Sequence, residues 1–185
     1  MHDDRTDPTE TVRPLLRARQ VREFTDAPVD RAALDALADV GRWSGSSKNN
    51  QPWRFIVVTE PDTIRRLADS GMPYTRALQT ATAAIAITVP DQPGWKISHA
   101  YDEGRAAERI LVGASMLGLG AGIAWISGEG REAVGDILGL PDDRFVRTVV
   151  ALGHPTEAAR LPKSDSGEAR LPRGETVFQE RWPEG

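Results

Sequence analysis

A chain of 185 residues fits one domain and can bury a core without disulfides or a structural metal. A formal charge of −4 with no Lys/Arg block argues against a nucleic-acid duplex as partner. The lack of any cysteine excludes disulfides, thiolate catalysis and Cys-containing zinc sites, and it agrees with a reducing, cytoplasmic compartment.

The amino end, MHDDRTDPTET, is acidic and proline-containing, the opposite of a basic signal peptide, and residues 1–11 are expected to be disordered. A single domain is expected over 12–185. Thr11 to Arg19 reads as a short first helix, with Pro14 in its opening turn. Val21 to Phe24 reads as extended. Asp30 is a natural N-cap for a second helix whose buried face repeats at Leu34, Leu37, Ala38 and Gly41.

The polar stretch WSGSSKNNQPWRFIVV, Trp43 to Val58, then turns a helix end into a strand expected over Trp53 to Thr59. Its serines, asparagines and glutamine could grip a polar planar ligand, or form an ordinary solvated loop. A helix follows from Pro61, then a weaker helical segment from Tyr74 to Gln79. Ala83 to Val89 reads as a central strand buried on both faces. Trp95, in the loop after Pro90, has no periodic reason to be there.

His99 to Gly118 is the longest expected helix, burying Ala107, Ile110, Leu111, Ala114, Leu117 and Gly118. The uncharged run from Ile110 to Ile126 is short for a membrane span and is broken by glycines, so no membrane is expected. Strands are expected over Ala121 to Ser127 and Phe145 to Leu152, with a helix from Arg131 to Leu138 between them. The tail from about 156 to 185 has aromatic anchors, Phe178 and Trp182, but no core of its own, so it must dock on something. Helices and strands interleaved along one chain suit an α+β sheet flanked by helices.

Side-chain catalysis finds little support. His2, His99 and His154 make no metal-ligand spacing, and no metal site is expected. No serine sits in a nucleophile elbow. Asp102 with Glu103, and Asp142 with Asp143, read as solvated caps, because neighbours in sequence point apart on a helix. Gly118, Gly120 and Gly122 follow a helix and precede a strand, the reverse of a dinucleotide-binding order. Arg17, Arg19, Arg22 and Arg170 remain, and with the polar loop they would suit a ligand with a phosphate at one end and a heteroaromatic ring at the other.

The order RARQVREFTDAPV, WSGSSKNNQPWRFIVV, a D-x-G helix running into LGLG and a strand, then VALGHP, resembles the nitroreductase family of FMN-dependent oxidoreductases over about residues 12 to 182. Its most specific element is Ser46, Ser47, Asn49, Gln51, Pro52, Trp53 and Phe55. The resemblance implies a homodimer with a central mixed β-sheet flanked by helices, two FMN sites at the subunit interface, and a C-terminal tail that wraps the partner. It implies FMN contacts from Arg19, Gln20 and Arg22, a loop from the partner subunit carrying Gly45, Ser46, Ser47 and Asn49, backbone approach to flavin N5 by Ser127 and Gly128, and a phosphate contact from Arg170. The family often has a second arginine where this chain has Ala18, a place Arg17 could fill. Arg76 is a candidate for the basic residue near the pyrimidine edge. The implied activity is ping-pong hydride transfer from NADH or NADPH through flavin N5 to an electron-poor small acceptor, nitroaromatic or quinone-like, with no catalytic side chain. A flavin oxidase of another branch and a non-catalytic flavin storage or sensing protein are the alternatives.

Overall fold

The computed structural model describes residues 7–161 and 170–183. Of the stretch expected to be disordered, residues 1–6 lie outside the described residues, whereas 8–11 are helical. Helix α1 runs Pro8–Arg17 because the Asp7 side chain accepts from the Thr9 amide and Pro8 supplies a preset first turn. That start was masked in the sequence by the acidic composition around it.

Helix α2, Arg31–Arg42, is capped by Asp30 and buries Leu34, Leu37 and Gly41, as its spacing predicts. Strand β1, Arg54–Val58, leads into α3, Pro61–Asp69, and a 3-10 turn at Arg76–Gln79 precedes β2, Ala83–Pro90. Helix α4, Lys96–Met116, is followed by β3, Gly120–Trp125; α5, Arg131–Leu138; β4, Arg144–Gly153; and two short helices, α6 at Glu157–Arg160 and α7 at Arg173–Thr176. No helix of the described residues is long and apolar enough to cross a membrane.

The sheet order is β1-β2-β4-β3. All three pairings are antiparallel, so the mixed sheet implied by the resemblance is not what these four strands form. β2 and β4 are central and β3 is an edge. The sheet separates two apolar layers: α2 and α4 cover one face through Leu34, Leu37, Ile110 and Ala114, while α3, α5 and the segment from Val21 to Phe24 cover the other through Ile64, Leu67, Val134 and Phe24.

Two expectations about α4 fail. The helix ends before Leu117 and Gly118, which are exposed, because the chain reverses through Gly118 at φ 72°. Asp102 and Glu103, read as solvated caps, are both buried, at 3% and 1% exposure, because each meets a partner far away in sequence.

Candidate functional site

The free edge of β3 organises the first half of the site. The segment after α1 runs extended beside it, the Val21 amide donating to the Ala121 carbonyl at 2.7 Å. Gly122 permits this approach: a side-chain carbon there would lie 2.2 Å from the Val21 carbonyl oxygen. Extended backbone sends alternate side chains to opposite sides. Gln20 and Arg22 share one side, where the Gln20 Oε1 accepts from the Ile123 amide at 3.2 Å and from the Arg22 guanidinium at 3.2 Å. Arg22 and Gln20 are exposed.

Arg19 and Val21 take the other side and line a cavity of about 180 Å³ with Arg17 and Arg160. There the Arg19 guanidinium donates to the carbonyls of Ala159, Arg160 and Leu161 at the end of α6. Those bonds occupy three of the five N–H donors of a guanidinium. The structure therefore brings Gln20 and Arg22 together and sets Arg19 apart from them.

Just past β3, the chain leaves the sheet. The Ile126 amide donates to the Arg147 carbonyl at 2.8 Å, and Ser127 and Gly128 then form a turn into α5. Among the described residues, no acceptor takes the Ser127 or Gly128 amide N–H. Gly128 is exposed, and nothing lies within 4 Å of where a side chain would begin. Two open donors thus stand at the end of the edge strand that Gln20 meets at the Ile123 amide, and such donors can receive the acceptor atoms of a ligand.

The loop carrying Gly45, Ser46, Ser47 and Asn49 is built elsewhere. Both Asp102 carboxylate oxygens lie 3.1 Å from the Ser47 amide nitrogen, which donates to them. Arg109 donates to the Trp43 carbonyl, and Arg144 donates to the Pro52 carbonyl at 2.7 Å, so both ends of the loop are pinned. Between the pins, Lys48, Asn49 and Gln51 hold φ values of 50°, 56° and 47°, with Asn50 at −68° between the last two, left-handed positions that non-glycine residues adopt at a cost. Trp95 finds its reason here: it stacks on His99 at 6.2 Å, and the Lys48 ammonium lies 5.7 Å from its ring.

The anchor of the loop and the cavity beside Arg19 lie towards opposite ends of α4. Asp102 anchors the loop, while Ser115 lines the cavity that Arg19 and Val21 share. From Asp102 to Ser115 the helix rises about 20 Å, at roughly 1.5 Å per residue.

A buried charge cluster lies behind the Ser127–Gly128 turn. The Arg147 guanidinium donates to Glu103 Oε2 at 3.2 Å. Burial pushes the Glu103 carboxyl above its usual range, against the Thr148 hydrogen bond and the pull of Arg147 and Arg131. Arg147 was missed in the sequence. The signal was a lone charged residue inside the strand FVRTVVALG, which demands a buried partner. Arg76 is exposed and starts the turn whose Ala77 faces Gly122. Arg170 is exposed and engaged in a contact of its own. In the tail, Phe178 and Trp182 pack edge to face at 4.8 Å, leaving Trp182 78% exposed, while residues 162–169 and 184–185 lie outside the described residues.

Comparison with known proteins gives relatives in both sequence and fold. The model of the Nitroreductase family matches residues 15–89, which include both the arginine segment and the polar loop. A protein of Archaeoglobus fulgidus, provisionally named an NADH dehydrogenase/NAD(P)H nitroreductase, is 26% identical over 84% of this chain and 91% of its own length. A Bacillus subtilis protein named FMN reductase (NAD(P)H) is 25% identical over 94% of this chain and 74% of its own. The solved structure of an FMN-dependent nitroreductase from Clostridium difficile superposes with a TM-score of 0.77, at 22% identity, over 91% of this chain and 99% of that one, a likeness of fold. Residues 15–89 thus match the nitroreductase family, and the chain is similar to relatives of these names in sequence and to a nitroreductase in fold.

Proposed function

We propose that the chain is an FMN-dependent NAD(P)H oxidoreductase that works as a homodimer. Each flavin site would take Gln20, Arg22, Ser127 and Gly128 from one chain and the Gly45–Asn49 loop from the other. The observation that carries this reading is the pair of open amide donors at Ser127 and Gly128, at the end of the same edge strand whose Ile123 amide holds Gln20 and, through it, Arg22. A ring with acceptor atoms along one edge is what such a donor set fits, and the names of the relatives concern FMN and NAD(P)H.

Bound there, FMN would supply the two-electron chemistry, with hydride passing from NAD(P)H through N5 to an electron-poor small acceptor, nitroaromatic or quinone-like, after the donor has left. The chain's own residues bind, orient and bias. Gln20, fixed by the Ile123 amide, holds the Arg22 cation, which would stabilise the negative charge that builds at the pyrimidine edge on reduction. Arg19 has two N–H donors left for a phosphate, and Arg170 of the tail is the second candidate. No nucleophilic side chain is needed.

Dimerisation is supported by an apolar groove of about 860 Å³ between α1, α2 and α4, lined by Leu15, Val40, Trp43, Val112 and Met116. Leu15, Trp43 and Met116 are 57%, 72% and 71% exposed, more apolar surface than a lone chain gains by showing. A second copy seated there would cover it and bring its loop towards the open donors, with the tail reaching across. The cysteine-free composition supports a cytoplasmic location.

The test is direct. Purified protein should be yellow, release FMN on denaturation, and lose its colour when NADH or NADPH is added without oxygen. Protein that takes up no FMN contradicts the reading. Bound FMN that nicotinamide leaves unbleached points to the oxidase or the storage alternative.

A further inference from the structure

The buried cluster behind the Ser127–Gly128 turn holds one carboxylate and two guanidinium groups. Arg147 is the extra residue of a bulge in β4: Ile87 pairs with Thr148 and Thr88 with Val146, so Arg147 has no partner across β2. A bulge re-aims a side chain, and this one aims Arg147 at Glu103 of α4, leaving it 6% exposed. On its other edge the same residue's carbonyl receives the Ile126 amide, the last bond before the turn. Its guanidinium lies 5.9 Å from the Trp125 ring and 5.3 Å from the Phe145 ring.

The far side of the turn is tied to the same place. Arg131, the first residue of α5, places its guanidinium 4.4 Å from the Phe145 ring, and its Nε is buried without a hydrogen-bond partner among the described residues. Trp125 before the turn and Arg131 after it thus both rest on one cluster. With two cations to one carboxylate, the cluster carries an excess of positive charge in a low-dielectric place.

We propose that Glu103, Arg147 and Arg131 form a positioning cluster that fixes the Ile126–Gly128 turn and, through its excess positive charge, sets how readily the ring held by that turn is reduced. This rests on the FMN reading above. None of the three touches the reacting atoms. They act through the turn and through the field behind it, which favours the negative charge that reduction adds to the ring.

The test is the anaerobic midpoint potential of FMN-loaded protein at pH 8.5, for wild type, Glu103→Gln, Arg131→Gln and Arg131→Lys. Glu103→Gln removes the carboxylate and should raise the reduced-to-oxidised ratio at fixed potential about tenfold, a shift of about 30 mV upward. Arg131→Gln removes a cation and should shift it downward by a similar amount. Arg131→Lys keeps the charge and should stay near wild type. General loosening of the fold would not move the first two variants in opposite directions. Should Glu103→Gln fail to fold, the Arg131 pair decides alone. Unmoved potentials, or shifts of the same sign, overturn the cluster's role while leaving an FMN enzyme in place. A wild type that takes up no FMN overturns both readings.

Discussion

Asp102 receives the Ser47 amide with both carboxylate oxygens, each 3.1 Å from the nitrogen, and so fixes the polar loop to α4 across fifty-five positions of sequence. The carboxylate is 3% exposed, and Arg105 approaches it at 3.8 Å. A hydrogen bond to a charged group contributes about 1.5–3 kcal/mol. Asp102→Ala should therefore lower stability by about 2 kcal/mol and speed FMN release, whereas Asp102→Asn, which keeps an acceptor, should lose less. Urea unfolding and FMN off-rates check both, and an off-rate unchanged in Asp102→Ala would show that the loop does not hold the flavin.

Among the described residues Arg22 has one hydrogen-bond partner, Gln20, and it is exposed, so its charge is available to a ring laid on the β3 edge. Arg22→Ala should keep the fold and lower the flavin midpoint potential by about 30 mV, a tenfold change for a two-electron couple. Water screening keeps the effect below what a buried charge would give. A flavin-loaded variant with the wild-type potential would remove Arg22 from that role.

The close approach at Gly122 predicts a sharper loss. A methyl group there would meet the Val21 carbonyl at 2.2 Å, and that backbone atom cannot swing aside as a flexible side chain could. Gly122→Ala should displace the Gln20–Arg22 segment, costing about 1–3 kcal/mol and weakening FMN binding together. Thermal unfolding with and without FMN measures both. A loss of stability at full FMN affinity would mean that the segment and the flavin are independent.

Glu103 gives stability a pH slope of definite sign. Its folded value is raised above the usual 4.5 by burial, so the folded chain binds more protons than the unfolded one in the window above that value. The contribution of this residue is fully present below the unfolded value and is lost as pH rises through the folded one. Melting temperatures measured upward from about pH 4 should therefore fall more steeply for wild type than for Glu103→Gln. Parallel curves would mean that burial does not dominate at this carboxyl.

Much of the fold was legible because apolar spacing and caps are local: Asp30 before Leu34 and Leu37, Pro61 at the first position of α3, Gly139 at φ 63° after α5. What escaped the sequence depended on distant partners. Asp102 and Glu103 look solvated until Ser47 and Arg147 are brought to them. Arg19 looked like a partner of Arg22 by proximity, yet the period of an extended segment already puts them on opposite sides. Trp95 had no local periodicity to explain it, since its neighbours are Lys48 of the loop and His99 of α4.

The central claim is that the flavin site is divided between two chains, and sedimentation velocity of the purified protein, followed at the flavin absorbance, tests it most directly. The account predicts that FMN travels with a dimer at one flavin per chain and dissociates when the dimer is driven apart by dilution or by charged substitutions at Trp43 and Met116. FMN travelling at full occupancy with a monomer would contradict it.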